Sequence, residues 1–251
     1  MSDALPPQHT FTPVTWHYER SDADGSEAEQ VYVHRAAPDQ LAVYKMRERC
    51  TGAALVTAEV DPRTGEAHRL VAGRLLPRGK SRPVGDIVFD ANKANITMTL
   101  TMDGRSTTMT APVTTRPWHL YDYDLASLTI AAAARRDRKA DFSFGLALVW
   151  PETPDTMLQW LGRADARYVR DERRGGRVLH RFQVDGPAFG KAGGGPLWLD
   201  ARDGTIVEAA WGRPNHAGYD AFRLKLRGTQ TGAGSWRKLL ERHYEGCPVA
   251  D

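Results

Sequence analysis

The chain has 251 residues, 41% of them hydrophobic and 26% charged, which is enough apolar material for a sizeable core and excludes a disordered chain. The formal net charge is only +3, and its basic runs, Arg135-Arg136-Asp137-Arg138-Lys139 and Arg170-Asp171-Glu172-Arg173-Arg174, are interrupted by acids. They read as solvated surface, so no nucleic-acid partner is expected.

Most of the chain shows the period-two alternation of β-structure. Trp16 and Tyr18 alternate with His17 and Glu19, and QVYVHRAAPDQLAVYKMRER gives two strands around a Pro-Asp turn. In ANITMTLTMDGRSTTMTAPV, Ile96, Met98, Leu100 and Met102 share one face, and Asp103-Gly104 suits a tight hairpin turn. The next segment is the alanine-rich LASLTIAAAARR, which predicts a helix over 125–136 with Asp124 capping its start. DFSFGLALVW then places Phe142, Phe144, Leu146 and Leu148 on one face. RYVRDERRGGRVLHRFQV folds at Gly175-Gly176, PLWLDARDGTIVEAAW folds at Asp203-Gly204, and YDAFRLKL closes the series. That makes roughly a dozen strands joined by short turns, the pattern of an antiparallel meander. SWRKLLERHY predicts an amphipathic helix over 235–244, with Ser235 as its cap. No linker or internal repeat is visible, so a single β-rich domain over 1–251 is expected, with 1–12 a flexible N-terminus.

No apolar stretch approaches the ~20 residues of a membrane-spanning helix. The start, MSDALPPQHTFTP, has no basic and apolar leader pattern, which points to the cytoplasm, or to the periplasm if a leader has been removed. Cys50 and Cys247 lie far apart and outside any C-x-x-C pair. Two free thiols would suit a reducing compartment and a Cys50–Cys247 bridge an exported protein; the missing leader favours free thiols.

RPWHLYDYDLASL, residues 116–128, concentrates aromatics, a histidine and two aspartates. One reading makes His119 a general acid or base oriented by Asp122 or Asp124, with Tyr123, or His216 from the loop GRPNHAGYDAF, as partner. The other makes the stretch a helix entrance whose aromatics, Trp118 among them, anchor the helix on the sheet. Capping residues outnumber catalytic ones, so the helix entrance is the expectation. His180 falls on the inward face with Val178, Phe182 and Val184, where it would line a pocket or sit in the core. Met98, Met102, Met109, Phe142, Phe144 and Trp198 are adaptable wall material for a cavity, with ordinary core the default reading. GPAFGKAGGGPLW lacks the Gly-Lys-Ser/Thr ending of a phosphate loop and precedes a strand, so it reads as a flexible loop or a strand-leading bulge. No metal site or cofactor fingerprint is present.

LYDYDLASL at 120–128 and LWLDARDGTIVEA at 197–209, within the span from Trp16 to Leu226, resemble uncharacterised bacterial DUF3108-type proteins and, more loosely, LolA/LppX lipoprotein-carrier-like proteins. The resemblance implies a strongly curved, half-open antiparallel barrel with the mid-chain helix against its concave face and the C-terminal helix beyond. It also implies an apolar small molecule, lipid or acyl chain held in that concavity, where Trp118, Met98, Met109, Phe144, His180 and Trp198 are the residues that position and alternation would place against it. A few cofactor-free biosynthetic enzymes, including the violacein-pathway protein, are similar in fold. The alternative implied is therefore an enzyme using the same cavity, with His119, Asp122, Tyr123 and His216 as acid–base groups. The missing leader is where this chain departs from the exported or lipidated carriers.

Overall fold

The computed structural model describes residues 11–248 apart from residue 103. Most of the expected flexible N-terminus (1–12), and Asp103 of the expected hairpin turn, lie outside the described residues.

Eight strands follow one another as a meander: β1 (Val14–Ser21), β2 (Glu29–Ala37), β3 (Gln40–Met46), β4 (Ala54–Val60), β5 (Ala67–Leu76), β6 (Lys80–Asp90), β7 (Asn95–Met102) and β8 (Arg105–Pro112). Seven more are β9 (Trp118–Leu120), β10 (Phe142–Val149), β11 (Leu158–Arg174), β12 (Arg177–Asp185), β13 (Gly195–Asp200), β14 (Ile206–Trp211) and β15 (Phe222–Thr231). The pairing of β1 with β15 joins both sets into one sheet of fifteen strands, ordered from β8 through β1 and β15 to β9. Every pairing is antiparallel except β9 with β10. The strands exceed the expected dozen because the period-two signal weakens in β4 to β6, where charged residues and glycines interrupt it.

The sheet is not closed by hydrogen bonds, yet its two edge strands are separated in sequence only by residues 113–117. A connection of that length reaches ~20 Å at most, so the sheet must curl until its edges approach. Trp160 on β11 spans the seam, its Nε1 donating to Thr114 Oγ1 at 2.9 Å. The result is the half-open barrel expected from the resemblance.

Inside lies α1 (Ala126–Ala134), with Ala126, Ser127, Leu128, Thr129, Ile130 and Ala132 all buried. A helix buried on every side needs small residues rather than an amphipathic stripe, which explains the alanine run. Two turns of matching sequence, Asp61-Pro-Arg-Thr-Gly65 and Asp200-Ala-Arg-Asp-Gly204, grip it. In each, the glycine N–H donates to the aspartate carbonyl at 2.8 Å, and the aspartate Oδ1 accepts the N–H two residues on. Gly65 (φ +66°) and Gly204 (φ +77°) face the helix backbone so closely that a Cβ would lie 2.0 Å from the Ser127 carbonyl oxygen and 2.8 Å from that of Ala132. Only glycine fits both the left-handed backbone and that contact. Glu66, next to the first turn, accepts from Arg116 Nε (3.0 Å) and from the Trp118 backbone N–H (3.1 Å), fastening β9 in place.

The second helix, α2 (Ala233–Arg242), lies on the outer face, where Leu240 packs with Tyr44, Ala53, Leu55 and Leu75 and Trp236 stacks on His34. Cys50 and Cys247 form a disulfide that closes a span of 197 residues behind this helix, correcting the expectation of free thiols. Three other local expectations are corrected. Asp124 does not cap α1: Leu125 holds the cap position without a side-chain bond, because the Asp124 carboxylate is committed to cations. Ser235 does not cap α2: its hydroxyl donates to the Gly232 carbonyl at 2.9 Å from within the first turn. The glycine-rich stretch is not a flexible loop but a run of 3-10 turns over Pro187–Ala192, pinned by buried Phe189 against Trp211.

Candidate functional site

The alternation that builds the sheet also decides what faces inward. Across β4 to β7 the inward ladder reads Val56–Ala72–Gly85–Leu100 and, one step along, Ala58–Leu70–Ile87–Met98. Much of that surface is alanine, valine or glycine, too short to reach the far wall. A cavity of about 480 Å³ remains against it, within the range of small-molecule sites. Leu120, Val149 and Pro151 complete the apolar lining.

One end of this cavity is charged. Arg20 continues the inward face of Trp16 and Tyr18, Lys45 that of Leu41 and Val43, and Glu29 lies opposite Arg20 across the β1–β2 pairing. Asp122 and Asp124 descend from the 3-10 turn Tyr121–Tyr123 that leads into α1. To aim them, the backbone passes through two consecutive left-handed residues, Asp124 (φ +52°) and Leu125 (φ +58°). Leu125 is an unfavourable residue for that conformation, at ~1–3 kcal/mol, and its complete burial together with the Asp124 ion pairs holds it there.

Arg20, only 1% exposed, donates through Nη1 to Asp124 Oδ1 at 3.0 Å and through Nη2 to Glu29 Oε2. Its guanidinium also lies over the Tyr219 ring, 5.3 Å from the centroid. Lys45 Nζ pairs with Asp124 Oδ2 at 2.7 Å, as an ion pair rather than an aligned hydrogen bond, and donates to the Asp122 carbonyl. Asn215 Nδ2 donates to Asp124 Oδ1 and to the Tyr121 carbonyl, 3.0 Å each. Burial alone would raise the Asp124 carboxyl, but Arg20 and Lys45 outweigh it and hold the group below its ordinary range. Burial likewise opposes the Arg20 charge, and Asp124 with Glu29 overcomes it. Buried charges survive only when paired in this way.

Asp122 differs. Burial pushes its carboxyl up to about 6, Lys45 opposing and Asp124 adding to the rise. Its one bond among the described residues, from the Val149 N–H to Oδ1, is long at 3.4 Å. Tyr123 is 1% exposed and lines the same cavity, its hydroxyl without a partner among the described residues. His216 lies at the lip with Nδ1 against the Ala217 carbonyl at 2.8 Å, and burial together with Arg20 lowers its proton affinity.

The cavity thus gathers Asp122, Tyr123, His216 and Met98 from the residues singled out in the sequence. His119 is elsewhere: it is buried with Nδ1 2.9 Å from Ser127 Oγ and its ring against Phe144, and burial lowers its pKa to about 3. It does not line the cavity, so the alternative acid–base partnership of His119 with His216 or Asp122 is not formed. Trp118 and Phe144 are buried in the core, and Met109, opposite Met98 across the β7–β8 pairing, packs half-buried against it. His180 borders a different, more open hollow of about 1060 Å³ and holds Asp171 Oδ1 at 2.6 Å through Nδ1. Trp198 faces away from the interior: it pairs with Arg181, lies under Arg174 and donates from Nε1 to Glu172. Sequence reasoning missed Arg20, Glu29 and Lys45, and saw Asn215 and Tyr219 only as part of the loop GRPNHAGYDAF, whose Pro, Asn and Gly suit a turn. For Arg20 and Lys45 a signal was present, since each falls in phase with an otherwise apolar inward face.

No described helix is long and apolar enough to cross a membrane. No family model matches the chain, so none stands behind the resemblance to DUF3108-type proteins, and no curated protein matches it. Among solved structures, the LolA superfamily protein NE2245 from Nitrosomonas europaea aligns with 87% of this chain and 84% of its own, at 9% identity and a TM-score of 0.29.

Proposed function

We propose that the protein is a single-domain binding protein for a small amphipathic molecule, its apolar part held inside the curved sheet. The observation that carries this reading is the cavity of about 480 Å³ with a wall of short aliphatic side chains and one polar end. An apolar ligand there would cover surface that neither α1 nor the neighbouring strands cover, at ~25 cal/mol per Å² removed from water. The test is direct binding of the neutral fluorophore N-phenyl-1-naphthylamine. Wild-type protein should bind it with a blue-shifted emission, and Ala72→Phe, which places a ring in the hollow, should weaken binding by about tenfold or more. Absent binding, or equal binding by both proteins, would sink the proposal.

The disulfide bears on where this takes place. A bridge between Cys50 and Cys247 suits an oxidising compartment, and we take that as the working location. Alkylation of the protein in its native cells before lysis should then leave neither cysteine labelled, whereas labelling of both would place it in a reducing one.

A further inference from the structure

We infer that the polar end of the cavity selects a ligand whose head group is a cation or hydrogen-bond donor, an aliphatic amine rather than a carboxylate or phosphate. The inference rests on the binding reading above and specifies its ligand class.

Two basic residues at the head of a greasy cavity invite the opposite assignment, an anionic lipid. The pairing rules it out. Arg20 is already shared between Asp124 and Glu29, and Lys45 between Asp124 and the Asp122 carbonyl. An incoming anion would have to compete inside a buried site with carboxylates that each of them already holds, and any carboxylate it displaced would be left unpaired. The cluster holds two cations, Arg20 and Lys45, against three carboxylates, Glu29, Asp122 and Asp124. Asp86, also on the wall, is balanced by Arg69 at 3.0 Å. His216 contributes no positive charge, since burial and Arg20 both disfavour its protonation.

Apart from Arg20 Nε, a buried donor without a partner among the described residues, the groups left uncommitted point the same way. Asp122 has a single long contact from a backbone N–H, and both its oxygens are acceptors when ionised. The Tyr123 hydroxyl, almost wholly buried and unpartnered among the described residues, lines the same hollow. The ring nitrogen of His216 not engaged with the Ala217 carbonyl is, in the neutral ring, an acceptor. A primary ammonium brings three donors and one positive charge to a site with one carboxylate in excess. A carboxylate ligand brings only acceptors and a second negative charge beside Asp122.

The test displaces N-phenyl-1-naphthylamine with decylamine, decanol or decanoate at about pH 7.5, where the Asp122 carboxyl is mostly ionised. Decanol is the neutral reference. Decylamine is expected to displace the fluorophore at about tenfold or more lower concentration than decanoate, as one nearby unscreened charge requires. In Asp122→Asn that ratio should fall towards one. Decanoate equal to or tighter than decylamine on the wild-type protein would overturn the inference, as would a ratio that persists in Asp122→Asn. Failure of all three decyl compounds to displace the fluorophore is a different result: it refutes the amphiphile-binding reading itself, and this inference with it.

Discussion

The two halves of the curved sheet treat their inner faces differently. On the side of β9 to β15 the interior is filled: Tyr121, Trp211 and Phe222 meet one another edge to face or tilted, Phe182 meets Phe142 edge to face, and Phe144, Leu146 and Leu197 are buried in one cluster with α1. On the side of β4 to β7 the same inward positions carry Ala54, Val56, Ala72 and Gly85, and space remains. Both halves obey one period-two rule and share one continuous sheet. Side-chain size alone separates a core from a container, and one helix of alanines is too slender to fill both.

That contrast can be broken by truncation. Phe144→Ala removes a ring in contact with His119 and Phe142 in the filled half, and should cost about 3–5 kcal/mol in urea unfolding. Val56→Ala, in the hollow half, deletes methyl groups that already face open space and should cost about 1 kcal/mol or less. Equal costs per methylene at the two sites would mean that the hollow half is packed as tightly as the filled one.

How far the sequence reveals this division follows from what period-two reading can and cannot resolve. Alternation located the hairpins at Gly175-Gly176 and Asp203-Gly204 and the outward turn of Arg223 and Lys225. It placed Phe144 and Met98 inward, as found. Trp198 was misassigned because strand β13 is buried on both faces, and an apolar residue on a two-sided strand carries no sign of its direction. The disulfide could not be read, since it depends on the path of α2 across the outer face and not on cysteine spacing. The carboxylates of RPWHLYDYDLASL were visible as a cluster, but their partners are far away in sequence, Arg20 by 104 residues from Asp124 and Lys45 by 77 from Asp122, and Asp124 looked like a cap because local capping is the commoner use of an aspartate before a helix. The anomaly available in the sequence was a pair of cations in phase with Trp16, Tyr18, Leu41 and Val43.

A smaller effect sharpens the comparison at the charged end of the container. A filled core would not retain a carboxylate that is short of partners, whereas a ligand site does so at the expense of stability. With its carboxyl raised to about 6 in the folded protein, Asp122 keeps its proton at pH values where the unfolded chain has released it. Between about pH 4 and pH 6 the unfolded state therefore binds fewer protons, and stability falls as pH rises through that window. Above it the destabilisation is complete. Water at the cavity mouth reduces the magnitude from what a sealed interior would impose. Asp122→Asn keeps an acceptor for the Val149 N–H and leaves Arg20 and Lys45 facing Glu29 and Asp124, one for one. It should stabilise the protein by about 1–2 kcal/mol at pH 7.5, with the gain shrinking towards zero as the pH approaches about 4. Urea unfolding of both proteins across that range measures the difference. A variant less stable than wild type at neutral pH, or a gain that does not change with pH, would place Asp122 among the paired carboxylates that hold the fold together and not at the open end of a binding site.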